Sequence, residues 1–402
     1  MINLEVPKKA GALVNQAYQA AAEVFRPISR KYDRAEHTYP TELDMFAALL
    51  DGLNSSGEGG GGAAGVRRDD NGDKKGNRNG ANLNTVLGTI ELCWGDVGLL
   101  LSMPRQGLGN AAIASVASDE QLKRFGKTWA AMAITEPGCG SDSAAITTTA
   151  RLDGDHYVLN GEKIFVTSGE RADSVVVWAT LDKSVGRAAI KSFVVEKGTP
   201  GFEVIRVEHK LGIRASDTAV LRFENCRVPK ENLLGTPEID TKKGFAGVMQ
   251  TFDNTRPLVA AMAIGVARAA LEETARVLAE AGITVDYDRP ANTQHAAAAT
   301  YLQLEADYEA AYLLTLESAW MADNRQPNSL QASMAKAKAG RSVVDITLRC
   351  VELAGTLGYT EESLLEKWSR DAKILDIFEG TQQIQQLIVA RRLLGKSSAE
   401  LR

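Results

Sequence analysis

Cysteine is scarce in this chain of 402 residues: Cys93, Cys139, Cys226 and Cys350 lie far apart, with no Cys-x-x-Cys pair. That excludes a disulfide framework and a thiolate zinc cluster, and suits thiols kept reduced in a cytosol. The four histidines, His37, His156, His209 and His295, show no metal-ligand spacing, so no metal site is expected. No run of eighteen apolar residues occurs, and Met1-Ile-Asn-Leu-Glu-Val-Pro-Lys-Lys9 has no apolar core of signal-peptide length. A cytoplasmic protein without a membrane span is the expectation. An excess of positive charge is also missing. With 46 basic against 51 acidic residues, the formal charge of −5 favours neither nucleic acid nor an anionic membrane as partner. What remains is ample apolar content, 44% hydrophobic, enough for two or three packed units with sizeable cores.

Three regimes follow one another along the chain. Residues 8–50 and 84–126 are rich in Ala and Leu and read as helices. Between them, 57–80 is mostly Gly, Asn, Asp, Lys and Arg, a composition that cannot offset its ordering entropy and predicts a mobile loop. Its mixed charges leave a binding segment as the alternative. Residues 130–232 switch to short β-like runs at 157–159, 163–166, 174–179, 190–195, 202–205 and 218–223, with Asn160-Gly161 as a type I′ hairpin turn between the first two. From 242 onward the pattern is helical again. Long segments at 257–281, 295–322 and 330–353 are separated by Pro290 with Asn292 and by Asn324 with Pro327. The predicted fold is α+β and multidomain: an N-terminal α-helical domain (1–129), a middle antiparallel β domain (130–240) and a C-terminal four-helix bundle (241–402) whose faces also suit subunit packing.

Two segments carry candidate chemistry. In Asp376-Ile-Phe-Glu-Gly-Thr-Gln-Gln-Ile-Gln385, Glu379 stands just ahead of an amphipathic helix, with Thr381 as the expected N-cap. A carboxylate there is pulled down by the helix N-terminus and up by any apolar pocket, which suits a general base that is ionised yet poorly solvated. The plain alternative is a solvated glutamate beside a helix start. In Ala133-Ile-Thr-Glu-Pro-Gly-Cys-Gly-Ser-Asp142, Gly138 and Gly140 let backbone N–H groups approach a ligand, with Thr135 and Ser141 as hydroxyl donors. It is not a dinucleotide fingerprint, because β structure follows it instead of a helix.

Taken in order, the Ile-Thr-Glu-Pro-Gly-x-Gly-Ser-Asp loop, the Asn-Gly-x-Lys hairpin, Thr255-Arg-Pro257, Arg370-Asp-Ala-Lys-Ile374 and Phe378-Glu-Gly-Thr-x-x-Ile-Gln385 closely resemble the acyl-CoA dehydrogenase flavoprotein family, over about 10–40 and 84–397. The resemblance implies FAD as cofactor and an acyl-CoA substrate. Glu379 would be the catalytic base that takes the proton α to the thioester carbonyl while the β-carbon gives hydride to flavin N5, with the Glu379 N–H holding the thioester oxygen and Gly380 beside the substrate. It also implies that Ile134, Thr135, Phe165 and Thr167 contact the flavin ring. Gly140 and Ser141 would lie beneath the phosphates and ribityl chain, Ser141 also facing the acyl-CoA. Asp253 and Arg256 would lie near the CoA moiety, and Thr381 and Gln383 would close over the adenosine part of FAD. Arg370 and Asp371 read as structural ion-pair partners.

The chain departs from the family pattern in three places. No Arg-x-x-Phe-Gly turn follows the helix that contains Arg268; the region around 279–290 offers only Arg289, out of register. The usual Gln opposite the ADP part is Glu352. The 57–80 loop stands where other members cover the active site. An acyl-CoA dehydrogenase passing electrons to an electron-transfer flavoprotein is the leading expectation, as a homo-oligomer (tetramer or dimer) or as one chain of a hetero-oligomer sharing FAD sites. The alternatives are an acyl-thioester oxidase or carrier-protein-linked dehydrogenase of the same fold, and a non-catalytic partner subunit.

Overall fold

The computed structural model describes residues 6–55, 80–105, 107–239, 246–397 and 400, without the side chains of 49–55 and 246–254. Apart from Gly80, the stretch 57–80 read as a mobile loop lies outside the described residues.

The N-terminal helices are α1 (Gly11–Ala20), α2 (Arg26–Arg34), α3 (Glu42–Ser55), α4 (Ala81–Gly95), α5 (Val97–Ser102), α6 (Leu108–Val116) and α7 (Asp119–Phe125). A wider π-turn at Ala21–Phe25 joins α1 to α2. Helix α4 is buried on nearly every side. Asp96 then stops it and caps α5, accepting the Leu99 N–H at 2.8 Å.

Seven strands form one sheet: β1 (Ala130–Ala133), β2 (Thr149–Asp153), β3 (His156–Thr167), β4 (Ser174–Thr180), β5 (Ile190–Glu196), β6 (Phe202–Val207) and β7 (Thr218–Pro229). The order is β1-β4-β2-β3-β7-β6, with β5 off this path and paired to β4 along its whole length. Four pairings are antiparallel, while β1 and β2 run parallel to β4. Strand β4 is buried at every position, which is why its Val-Val-Val-Trp run shows no alternation.

The hairpin expected at Asn160-Gly161 is not there. Both residues lie inside β3, where the register against β7 shifts. Gly161 has φ 155°, and a Cβ on it would strike Thr148, so the glycine serves close approach at a bulge and not a turn. The hairpin falls one turn earlier, between Asp153 and His156, with Gly154 at φ 64°.

The C-terminal half contains α8 (Ala246–Glu280), α9 (Ala296–Asp323), α10 (Ser329–Ala354), the short α11 (Thr356–Tyr359), α12 (Leu365–Leu375) and α13 (Gln382–Leu394). Helix α8 begins well before Pro257, the expected start, and runs through it. The missing N–H costs one helical hydrogen bond, which the surrounding packing outweighs, since residues 255–267 are buried without a break. Among the described residues no helix is long and apolar enough to cross a membrane.

One core joins both helical regions, with Phe25, Ile90 and Leu99 packed together with Leu258, Ile264, Val343 and Leu375. A second core lies against the sheet around Leu159, Val177, Phe193 and Leu221. Buried Lys367 of α12 pairs with Asp96 at 2.7 Å and with Asp371 at 2.5 Å, and Asp371 also accepts the Ile213 N–H. That network ties the start of α5 and the segment between β6 and β7 to α12. Arg370 pairs with Asp33 and Glu366, so Arg370 and Asp371 are ion-pair partners as expected.

Helices α4 and α8 touch backbone to backbone at Gly265, where a Cβ would lie 2.7 Å from Cys93 Cβ and 2.9 Å from Trp94 N. Gly265→Ala is therefore expected to destabilise the protein by about 1–3 kcal/mol by overpacking, seen as a lower melting temperature.

Candidate active site

Helix α12 ends at Leu375, and the chain turns through Asp376–Gly380 before Thr381 caps α13 by accepting the Ile384 N–H at 3.4 Å. The turn is sharp because two consecutive residues are left-handed, Glu379 at φ 58° and Gly380 at φ 94°. For a glutamate that conformation is strained, so the surroundings must hold it. They do so at three points. Gln385 Nε2 donates to the carbonyls of Glu379 (3.1 Å) and Gly380 (3.2 Å). Lys336 Nζ donates to the Gly380 carbonyl at 2.7 Å. Thr255 Oγ1 donates to Glu379 Oε2 at 2.8 Å.

Burial pushes the Glu379 carboxyl above the usual carboxylate range, against the Thr255 hydrogen bond and the charges of Arg256 and Lys336. Thr255 and Arg256 are themselves buried on α8. Lys336 is fully buried on α10; burial, opposed by Asp376 and Glu379 and aided by Arg256, lowers it to about 8. Glu379 as a whole is half-buried, and its partly desolvated carboxylate faces two cations and a hydroxyl donor.

A second group forms at the sheet. Between Lys163 and Val166 the register of β3 slips, and Phe165 takes φ 56° in the bulge. The bulge frees the Ile164 N–H to reach the Thr135 carbonyl at 2.9 Å. Buried Lys163 then donates to the Ile134 carbonyl (3.0 Å) and to Glu136 Oε1 (2.8 Å). Glu136 also accepts the N–H and hydroxyl of both Thr147 and Thr148 at 2.6–2.9 Å. Burial raises Glu136, but Lys163 and these donors outweigh it and bring it to about 2. Burial lowers Lys163 in spite of Glu136. The gain at one partner is offset by the loss at the other, so the pair fixes geometry more than it adds stability.

Ile134, Thr135 and Phe165 are thus brought together around this ion pair. Thr167 closes β3 opposite Thr218. Gly140 and Ser141 follow the Glu136–Cys139 bridge and are exposed. Glu379, Gly380, Thr381 and Arg256 belong to the first group, and Gln383 is exposed on the first turn of α13. The side chain of Asp253 lies outside the described residues. Glu352, where the resemblance led to an expectation of Gln, pairs with Arg349 one turn away, and Arg289 donates to the Thr293 carbonyl at 2.7 Å.

Sequence reasoning missed Thr255, Lys336, Gln385, Glu136 and Lys163 as supports. A signal existed for Lys336: with Gly340, Val343 and Thr347 it shares one buried face of α10, whereas Lys338 falls off that face. Also unforeseen, Glu36, His37 and His209 bring ligand atoms within 4.8 Å of one another. Those atoms are engaged already, since Glu36 pairs with His209 at 3.0 Å and His37 Nε2 meets the Glu208 carbonyl at 3.0 Å.

Family models describe these two regions separately. The model for the acyl-CoA dehydrogenase middle domain matches residues 131–226, and that for the acyl-CoA dehydrogenase C-terminal domain matches 242–394. The chain belongs to the acyl-CoA dehydrogenase family. It is 36% identical over 305 residues to a protein of Clostridium acetobutylicum named acyl-CoA dehydrogenase, short-chain specific, covering 74% of this chain and 78% of that one. It is 34% identical over 308 residues (75% and 79%) to the caffeyl-CoA reductase-Etf complex subunit CarC of Acetobacterium woodii. A glutaryl-CoA dehydrogenase of Mycobacterium smegmatis, solved in complex with FADH2, superposes with TM-score 0.81 at 25% identity over 98% of this chain and 96% of that one.

FAD is accordingly the cofactor of this acyl-CoA dehydrogenase. The sheet residues fit it. Phe165 leaves 63% of its surface open, an uncovered flat apolar face beside the Thr135 loop, with exposed Ser141 as a further donor. A ring with a polar edge matches that surface.

Lys163→Met would leave Glu136 buried without its cation. A loss of about 3–5 kcal/mol in urea unfolding is expected. Because the Glu136 pKa is depressed, its contribution is complete above the ordinary carboxylate value and is lost as pH falls toward about 2.

Proposed function

We propose that this chain oxidises a short-chain acyl-CoA to its 2-enoyl-CoA, with Glu379 as the base that removes the α-proton. The observation that carries this reading is the partly desolvated Glu379 carboxylate, held by Thr255 and faced by Arg256 and Lys336. A carboxylate so placed, once ionised, has few waters around it, which raises its strength toward a weakly acidic C–H. FAD, when bound, would supply the acceptor for the hydride on the β-carbon. The Glu379 N–H is assigned to the thioester oxygen, where it stabilises the charge that develops as the proton leaves. Gly380 and Ser141 are assigned to the substrate, and Arg256 and Asp253 to the CoA moiety. Ile134, Thr135, Phe165 and Thr167 are assigned to the flavin ring, Gly140 and Ser141 to the ribityl and phosphate part, and Thr381 and Gln383 to the adenosine end.

The short-chain preference rests on the name of the clostridial relative. An electron-transfer flavoprotein as acceptor, a homo-oligomeric or shared hetero-oligomeric assembly, and a cytoplasmic location belong to the same proposal, as does the division at 129/130 and 240/241. The similarity to a reductase-Etf subunit favours one second reading, in which the same site runs toward saturation and Glu379 delivers the proton.

Glu379→Gln keeps the size of the side chain and removes the base. With FAD still bound, kcat should fall by about 100-fold or more; turnover near wild type would refute the assignment. Since the carboxyl is raised and must be ionised to act, wild-type kcat/KM should fall on acidification through a pKa above the usual glutamate range. A flat acid limb down to the ordinary value would contradict the burial argument.

A further inference from the structure

Three lysines are fully buried among the described residues, and two of them, Lys163 and Lys367, face carboxylates at hydrogen-bond distance. Lys336 is different. Its Nζ donates to a neutral acceptor, the Gly380 carbonyl at 2.7 Å, in the turn that carries Glu379. Burying an ammonium against a carbonyl is costly unless its charge is used. The charged groups that face it are Glu379 and Asp376 from the turn after α12, and Arg256 from α8. Asp376 is shared with Lys373 at 3.3 Å and Arg341 at 3.7 Å. Its neighbour on α13, Gln385, is neutral and clamps the same two carbonyls. The buried face of α10 around it is Ala332, Ala335, Ala339 and Gly340, which supply no charge.

We propose that Lys336 is a positioning residue for Glu379. Its buried ammonium ties down the Gly380 carbonyl, and so holds the left-handed Glu379–Gly380 pair with the carboxylate turned to Thr255. This rests on Glu379 as the base and adds the residue that sets its geometry and charge state. Two consequences follow. The cation favours the ionised carboxylate that burial disfavours, and by reciprocity the carboxylate keeps the lysine charged. With Lys336 lowered to about 8, that support is largely present at neutral pH and is withdrawn as pH rises through this value.

The test is a titration of the full-length, FAD-loaded protein labelled with 13C at the glutamate carboxyl. The Glu379 signal is assigned by its loss in Glu379→Gln. In Lys336→Met the Glu379 midpoint should rise by about one unit or more, and Lys336→Arg should return it toward wild type. An unmoved midpoint in folded Lys336→Met overturns the proposal, because a lysine that merely filled space would leave the carboxyl where it was. Should the Met variant not fold, the reciprocal measurement decides. The Lys336 15Nζ signal should titrate lower in Glu379→Gln than in wild type, and an equal midpoint overturns the coupling. Neither readout needs turnover. A protein whose Glu379 and Lys336 are coupled but which oxidises no acyl-CoA would refute the proposed function and leave this inference standing.

Discussion

A carboxylate drawn away from water ionises only where donors and cations replace the water, and the candidate active site is arranged around that requirement at Glu379. The residue sits on a left-handed turn that glutamate adopts at a cost. Four side chains from three helices meet it or its turn: Thr255 and Arg256 from α8, Lys336 from α10 and Gln385 from α13. Gln385 follows the turn directly on α13, whereas Thr255, Arg256 and Lys336 reach it because α10 packs against α8, α12 and α13. The close approach of α10 at Gly340, where a Cβ would lie 2.8 Å from the Leu375 carbonyl, brings Lys336 to within reach of the turn.

The same device recurs through the molecule. Lys163 ties the Ile134–Glu136 segment to β3, Lys336 ties the Glu379 turn to α10, and Lys367 ties α5 and the segment before β7 to α12. Each is a buried cation that fixes a loop or helix end by hydrogen bonds to carbonyls or carboxylates. Such groups add little net stability once desolvation is counted, but removing one partner leaves the other stranded. Loops proposed to hold a cofactor and a base need that all-or-none definition, since a small shift of a reacting group costs rate.

Much of this was legible in the chain. Long Ala-rich segments with Pro and Asn breaks announced α9 and α10 within a residue or two, and Thr381 capped α13 as its hydroxyl suggested. The order of short motifs pointed to the family, which the domain matches bear out. Two local rules misled. Asn-Gly signals a hairpin, yet Asn160-Gly161 serves a bulge because Thr148 presses on that strand; and Pro257 signals a helix start, yet α8 passes through it in a fully buried setting. The supports of the site were illegible for a different reason. Thr255 with Glu379 and Lys163 with Glu136 are contacts across 124 and 27 residues, and no local pattern encodes which buried polar group meets which.

The most direct test of the central claim is the visible spectrum of the flavin-loaded protein without oxygen, before and after butyryl-CoA is added. If Glu379 takes the α-proton as proposed, rapid bleaching of the oxidised flavin band is expected, because loss of that proton lets the thioester give up hydride. A flavin that stays oxidised with saturating butyryl-CoA bound would contradict the account, because the base would then be present and the chemistry absent.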